Sequence, residues 1–418
     1  MITSILPGTN VEVVAGVRAT ESIVTGVVTM PLTLSWGDTV TTLKKGDNPL
    51  TTLGYKLTDT AMKLINEVMN YANKLILYRL NTGTKATGTL ATGITATAKY
   101  GGLRGNDITV TIEASDTNWI IKTFLGTTEV DSQIIAAVAN FKANDFITIS
   151  GTGTLAAVSV KLTGGADGVA ADISTYTAEI AKYDYNILVC ADTANAAALK
   201  DFVLEERANG RMVQGVINGV AADNKAIYNS TVGGITPNYT LTAAEACATM
   251  GAILAKQGVI GAATYFDVIG WTDVSPRLSK IQQETKTQAG EILFVHLYGG
   301  VKVLYDINSL TTYTDVDPED FHKGLVVRTL DRYAADVQKL LDTRAVGKIR
   351  NSLTGRNQIK GMIAEMTVRD YLNNGYIEDF TADDITIAEG TDRDSVTATV
   401  GIKVVDTVDK INVTVTAL

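Results

Sequence analysis

Residues 411–418 alternate strictly: Ile411, Val413, Val415 and Ala417 fall on one face, and Asn412, Thr414, Thr416 and Leu418 on the other. A period of two, rich in β-branched side chains, predicts a strand. At ~3.3 Å per residue it reaches about 27 Å. Neither Pro nor a charged tail blunts it, so its backbone groups call for a neighbouring strand. Toward the other end, Pro7 and Gly8 break the chain. NVEVVAGV (10–17), carrying Val11 and Val13, then predicts a second, shorter extended arm.

Between these arms the period changes three times. GVVTMPLTLSWGD (26–38) predicts a buried strand ending in a Trp-Gly turn. TDTAMKLINEVMNYA (58–72) predicts an amphipathic helix capped by Thr58 or Asp59, with Met62, Ile65, Met69 and Ala72 as its apolar stripe. KLILYRL (74–80) is a second buried strand and completes a β-α-β unit. Residues 81–168 are saturated with Thr, Gly, Ala and Val in short alternating runs, which predicts a β-sandwich or barrel inserted into the α/β body. SQIIAAVANFK (132–142) predicts one helix interrupting it.

From residue 169 helical and strand patterns alternate again: TYTAEIAKY, YNILVCA, TANAAALKDFVLEERANG, RMVQGVING and TAAEACATMGAILAKQG. That rhythm predicts a mainly parallel, layered sheet. Residues 290–312 predict a hairpin turned at Gly299-Gly300. The last zone predicts a small α+β domain. One long helix spans 321–346 with Val326, Leu330, Tyr333, Val337 and Leu340 on one stripe, and a second spans 358–373, stopped by Gly375. The strands DDITIAE and SVTATVGIKVVD follow.

At 418 residues, the chain suits two or three domains. A net charge of −9 argues against general nucleic-acid binding, which needs an excess of Lys and Arg. Cys190 and Cys247 lie far apart in apolar surroundings and predict two reduced, buried thiols. The first ten residues carry no secretion signal, and no run of eighteen apolar residues exists to span a membrane. The expectation is a soluble protein made in the cytoplasm.

Candidate chemistry is sparse. His296 lies in an apolar strand, and His322 opens a helix behind DVDPED (315–320). Neither sits in a GxSxG or HExxH context. ISGTGTLAAV satisfies a dinucleotide-type glycine spacing through Gly151, Gly153 and Ala156, but a strand rather than a helix follows, which predicts a Gly/Thr hairpin. DVDPED lacks the spaced ligands of a calcium loop and suits a helix N-terminus instead. Lys339 and the basic segment 344–360, with Arg344, Lys348 and Arg350, read either as a solvated loop or as a docking patch for an acidic partner. No catalytic, cofactor or metal site is predicted.

Six motifs in order resemble a family: PGTNVEV, GVVTMPLTLSWGD, GGLRGNDITV, LTGGADG, YDINSLTT and VVRTLDRYAADVQ. The chain is similar to the tail sheath proteins of contractile bacteriophages, in the myophage and R-type bacteriocin branch of Gram-positive bacteria. The resemblance implies α/β and α+β multidomain architecture: an N-terminal arm (1–20), a subtilisin-like, non-catalytic α/β core (21–80 and 169–315), an inserted β-sandwich (81–168), a C-terminal sheath domain (316–406) and a β-arm (407–418). It implies a structural role: hexameric rings stacked around an inner tube contract to drive that tube through a target envelope. Partners would be further copies of the chain, the inner tube protein, and baseplate and tail-terminator proteins, without nucleic acid or membrane insertion. Val11, Val13, Ile411, Val413, Val415 and Ala417 would be strand residues exchanged between subunits. Ala15-Gly16 and the span 406–409 would be hinges, and Lys339, Arg344, Lys348 and Arg350 would touch the tube. The alternatives are an α/β hydrolase-like enzyme, weakened by the lack of a base, and a receptor-binding or adhesin module suggested by the Thr/Gly-rich insert.

Overall fold

A computed structural model describes residues 25–417. Its centre is a seven-stranded sheet, in spatial order Glu291–Ile292, Ile227–Ser230, Gln214–Ile217, Ile187–Val189, Val27–Leu32, Lys74–Arg79 and Val40–Lys44. Every neighbouring pair is parallel except the last, where Val40–Lys44 closes the edge antiparallel to Lys74–Arg79. Parallel neighbours need crossovers, and helices supply them on both faces. Val28, Met30, Leu75 and Leu77 pack on one side with Lys63–Met69 and Ala243–Gln257. Val27, Ile76 and Leu188 pack on the other with Ile173–Ile180 and Ala196–Ala208. The layered parallel sheet expected from the rhythm is present.

The predicted helix at 58–72 is shorter than its stripe. A 3-10 turn, Thr60–Met62, precedes Lys63–Met69, and Asp59 caps nothing because its carboxylate accepts from the Lys56 N–H at 2.9 Å. The stripe Met62, Ile65, Met69 and Ala72 is nevertheless buried throughout.

Residues 81–168 hold two sheets face to face. One is ordered Val158–Lys161, Ile108–Ser115, Asn118–Leu125, Thr128–Ile135, the other Lys85–Ala91, Ile94–Gly101, Ile147–Gly151. Alternate residues such as Ile94, Ala96, Ala98, Ile108, Val110 and Ile112 fill the space between them. Two expectations fail here. SQIIAAVANFK is no helix: Ile134 and Ile135 pair with Ile120 and Trp119 in the four-stranded sheet, and only Val138–Asn140 makes a 3-10 turn. ISGTGTLAAV is no hairpin either. Ile147–Gly151 pairs with Ile94–Gly101, whereas Val158–Lys161 pairs with Ile108–Ser115, so the Gly/Thr stretch crosses between sheets.

The hairpin expected at Gly299-Gly300 turns one residue earlier. Leu297 opposes Gly300, and Tyr298-Gly299 form the turn with φ of 53° and 81°. Its first part, Glu291–Ile292, is diverted to the edge of the core sheet beside Ile227–Ser230.

The long helix, Gly324–Arg344, joins two cores. Leu325, Val326 and Val327 are buried at its start, and Tyr333, Val337 and Leu340 pack at its far half with Ile363, Met366 and Tyr371. The second helix begins five residues earlier than its pattern suggested. Leu353–Thr367 is capped by Ser352 and runs on as a π turn, Val368–Leu372, before Gly375 at φ 71°. A hairpin, Ile385–Glu389 with Val396–Val400, and a short pairing of Ile377–Glu378 with Lys403–Val404 complete this domain.

Candidate functional site

Val405 donates its N–H to the Tyr376 carbonyl, and no ladder follows. From 405 to 417 every residue is exposed except Asp409. Ile411, Val413 and Val415 are 77%, 76% and 88% exposed, and Ala417 is exposed with them. Four apolar side chains on one face of an alternating, unpaired segment are costly to leave in water, at roughly 25 cal/mol per Å². In the same domain, the hairpin Ile385–Glu389/Val396–Val400 has only two strands, so each carries an outer row of backbone groups without a ladder partner among the described residues. Val11, Val13, Ala15 and Gly16 lie outside the described residues.

Asp409 is held by Lys323, which the sequence reading did not single out. The Lys323 ammonium contacts the Asp409 carboxylate, lies 3.3 Å from Asp406 Oδ2, donates to the Tyr305 hydroxyl at 3.2 Å and sits 4.4 Å above the Tyr305 ring. Burial works to lower the Lys323 pKa, but the Asp409 hydrogen bond, then Tyr305 and Asp406, outweigh it and the pKa is raised. The span 406–409 thus meets the body at one ammonium. A signal for Lys323 existed in the sequence: a lysine at the N-cap position of a long helix has the wrong sign for the helix dipole.

The basic residues are distributed along the far end of the long helix and the loop behind it. Arg344, Lys348 and Arg350 are exposed, Lys339 is half-buried, and Val346 and Leu353 beside them are 66% and 70% exposed. Lys348 donates to the Thr343 carbonyl. The cluster therefore mixes positive charge with apolar surface.

The histidines, the cysteines and the acidic run are placed as structural groups. His322 Nδ1 lies 2.5 Å from the Leu310 carbonyl oxygen, and its pKa is lowered, first by burial. His296 lies in the hairpin opposite Val301. Cys190 and Cys247 are free and buried, as expected, and burial pushes the Cys190 thiol up to about 12 and Cys247 well up too. Such thiols are poor nucleophiles. DVDPED leads into the turn Glu319–His322, with Asp317 paired to Lys225 at 2.5 Å. Among the described residues no cluster of three His, Cys, Asp or Glu side chains suits a metal, and no helix is long and apolar enough to cross a membrane.

Four family models match consecutive stretches of the chain. They are the tail sheath protein Gp18 domain III N-terminal region over 25–80, the phage tail sheath protein beta-sandwich domain over 81–167, the phage tail sheath protein central domain over 167–309, and the phage tail sheath C-terminal domain over 316–417. A crystal structure of a sheath tail protein from Desulfitobacterium hafniense superposes with a TM-score of 0.85 at 31% identity, covering 97% of this chain and 98% of that one. The phage-like element PBSX protein XkdK of Bacillus subtilis is 29% identical over 92% of this chain and 91% of its own length. The contracted helical sheath of the anti-feeding prophage shares the fold, with a TM-score of 0.58 at 14% identity and 99% of both chains covered.

Proposed function

Since the chain belongs to the phage tail sheath protein family, in the branch of Gram-positive prophage elements, and is a structural subunit of a contractile sheath rather than an enzyme, we propose how it joins its neighbours. Residues 410–418 of one subunit, and 10–17 of another, add as strands to the hairpin Ile385–Glu389/Val396–Val400 of a third. The carrying observation is the exposed apolar face of Ile411, Val413, Val415 and Ala417 on an unpaired segment. Strand addition satisfies both sets of idle backbone groups, and alternating side chains fix the register.

In this reading the subunits form hexameric rings stacked on an inner tube, bounded by baseplate and tail-terminator proteins, after synthesis in the host cytoplasm. The core is taken as a subtilisin-like frame used only as a body. A parallel sheet covered by helices on both faces supports that assignment, and fold alone carries no proteolytic chemistry. Lys339, Arg344, Lys348 and Arg350 grip the tube through ionic contacts, each on the order of 0–1 kcal/mol, weak enough to release on contraction. Energy for contraction is stored in the extended lattice, because the sequence has no phosphate-binding loop.

Deleting 407–418 tests the arm exchange. The truncated chain is expected to stay a folded monomer and to form no cylinders by negative-stain microscopy. Cylinders of normal length would overturn the woven arrangement. Reversing charge at Arg344 and Lys348 is expected to reduce assembly on tubes at low salt while leaving tube-free polymers intact. Unchanged assembly returns the segment to solvent.

A further inference from the structure

The arm does not leave the body where its last ladder hydrogen bond is made. The pairing with Ile377–Glu378 ends at Val404, and the Val405 N–H still reaches Tyr376. Five residues further on, Asp409 turns back, and its side chain is only 8% exposed although its neighbours Val408 and Ile411 are 79% and 77% exposed. A loop of exposed chain, 405–408, is thus held shut at its far end by one side chain. Lys323 is the only cation on Asp406 and Asp409 among the described contacts, and its own side chain is 17% exposed.

Local rules do not explain Lys323. It occupies the N-cap position of Gly324–Arg344, offers no side-chain cap, and places positive charge at the positive end of a 21-residue helix. Asp, Ser or Thr would serve that helix better. The position makes sense once two carboxylates from 83 and 86 residues later are seen to offset it. A residue that breaks a local rule and is compensated only by a distant segment marks a functional demand. Directly behind it the helix is fixed hard. Arg328 donates to both carboxylate oxygens of Asp306 at 3.0 and 2.7 Å, and Gly324 packs so closely on Asp306 that a Cβ there would lie 2.0 Å from its oxygen.

We propose that Lys323, with Asp406 and Asp409, is a clamp that sets the length of the C-terminal tether. Closed, it lets only 410–418 reach a neighbour, nine residues or about 30 Å when extended. Open, it adds 405–409, about 17 Å more. A sheath that changes its subunit spacing without parting its subunits needs such slack. The clamp is built to yield before the strands do: its ammonium is a single, partly exposed point of contact, whereas an added strand is held by a row of hydrogen bonds. Tyr305 limits where the ammonium rests and so returns the arm to one exit point when tension is absent. The inference rests on the arm exchange proposed above.

The clamp itself is read in the soluble monomer. Both native thiols are buried, so spin labels go selectively to Val408→Cys and Thr343→Cys, one beside the clamp and one on the long helix. The parent is expected to give a narrow distance distribution. Lys323→Met, which keeps the apolar stem over Tyr305, should broaden it toward the ~12 Å spread of a five-residue flexible linker. Lys323→Glu should do the same, and adding Asp409→Lys to it should narrow the distribution again, a rescue that a packing role would not give. Equal widths in parent and Lys323→Met overturn the clamp. In assembled sheaths, Lys323→Met is expected to polymerise with a wider spread of ring-to-ring spacing than the parent. Uniform parent-like spacing, with a broadened monomer distribution, shows that the clamp does not set the tether and overturns the proposal. Failure of the parent itself to polymerise counts against the arm exchange, and the monomer measurement then judges the clamp alone.

Discussion

Where the β-sandwich leaves the core, the chain is fastened at many points; where the C-terminal arm leaves it, one lysine does the holding. At the sandwich junction the Asn81 amide bridges both backbone groups of Leu34, at 2.7 and 2.9 Å, and donates to the Asp167 carbonyl at 2.6 Å. The Asp167 carboxylate accepts from Ser35 Oγ and the Leu103 N–H. Arg79 donates to the carbonyls of Gly37 and Gly101 at 2.9 and 2.6 Å. Trp36 inserts from the core into the sandwich interior, edge-on to Tyr100 at 5.3 Å. Gly102, at φ 135°, passes so near Ser35 that a Cβ would stand 2.0 Å from its carbonyl oxygen. These bonds can be made in one geometry only, so the insert is fastened to the core at many points, although Trp36 Nε1 and Arg79 Nε are buried there without a partner among the described residues. The arm root has one ion-paired lysine, its side chain 17% exposed, and no second fastening among the described residues, so loss of that single contact frees the segment. The difference teaches how one chain combines a stiff body with a tether: rigidity comes from many buried hydrogen bonds, and mobility is kept by concentrating attachment at a single charge.

The contrast breaks first if the base of the long helix gives way. Arg328→Ala leaves Asp306 buried without its cation and should cost about 3–5 kcal/mol, read as a lowered denaturant midpoint. Next comes the sandwich junction. Asn81→Ala strands two buried backbone groups of Leu34 and the Asp167 carbonyl, and should cost about 3 kcal/mol. Calorimetry should then resolve separate core and sandwich transitions; one undivided transition would show that the Asn81 contacts are not what couples them.

Deleting 407–418 should cost the monomer only about 1 kcal/mol, because those side chains are exposed apart from Asp409 and Asp406 stays to pair Lys323. A large loss would mean that the arm belongs to the body. The smallest effect is a pH dependence at the turn that carries the clamp. His322 has a lowered pKa, because burial disfavours the imidazolium and Lys323 repels it, while the Leu310 carbonyl and Glu319 act the other way. Its contribution is therefore full above the ordinary histidine pKa and is lost as pH falls through the lowered folded value. Stability measured between pH 7.5 and pH 5 should decline slightly in the parent and decline less in His322→Gln.

The sequence determined by itself whatever depends on near neighbours. The stripe Met62, Ile65, Met69 and Ala72, the strands Val27–Leu32 and Lys74–Arg79, and the parallel layering after residue 169 all follow from local period and composition. The family was legible for the same reason, as six short motifs kept in order. Local pattern failed where two periods fit equally. Ile134-Ile135 suit a helix as well as a strand, and only pairing with Ile120 and Trp119 chose the strand. Likewise, nothing within 146–162 states that its two strands belong to opposite sheets; that was decided by the edges left open on Ile94–Gly101 and Ile108–Ser115. The contacts that set rigidity and release, Asn81 with Asp167 and Lys323 with Asp409, join residues 86 positions apart in both cases. A polar side chain read alone looks like any solvated residue. Only the tertiary structure, by removing water from one partner and bringing the other within reach, gives it a single counterpart and a function.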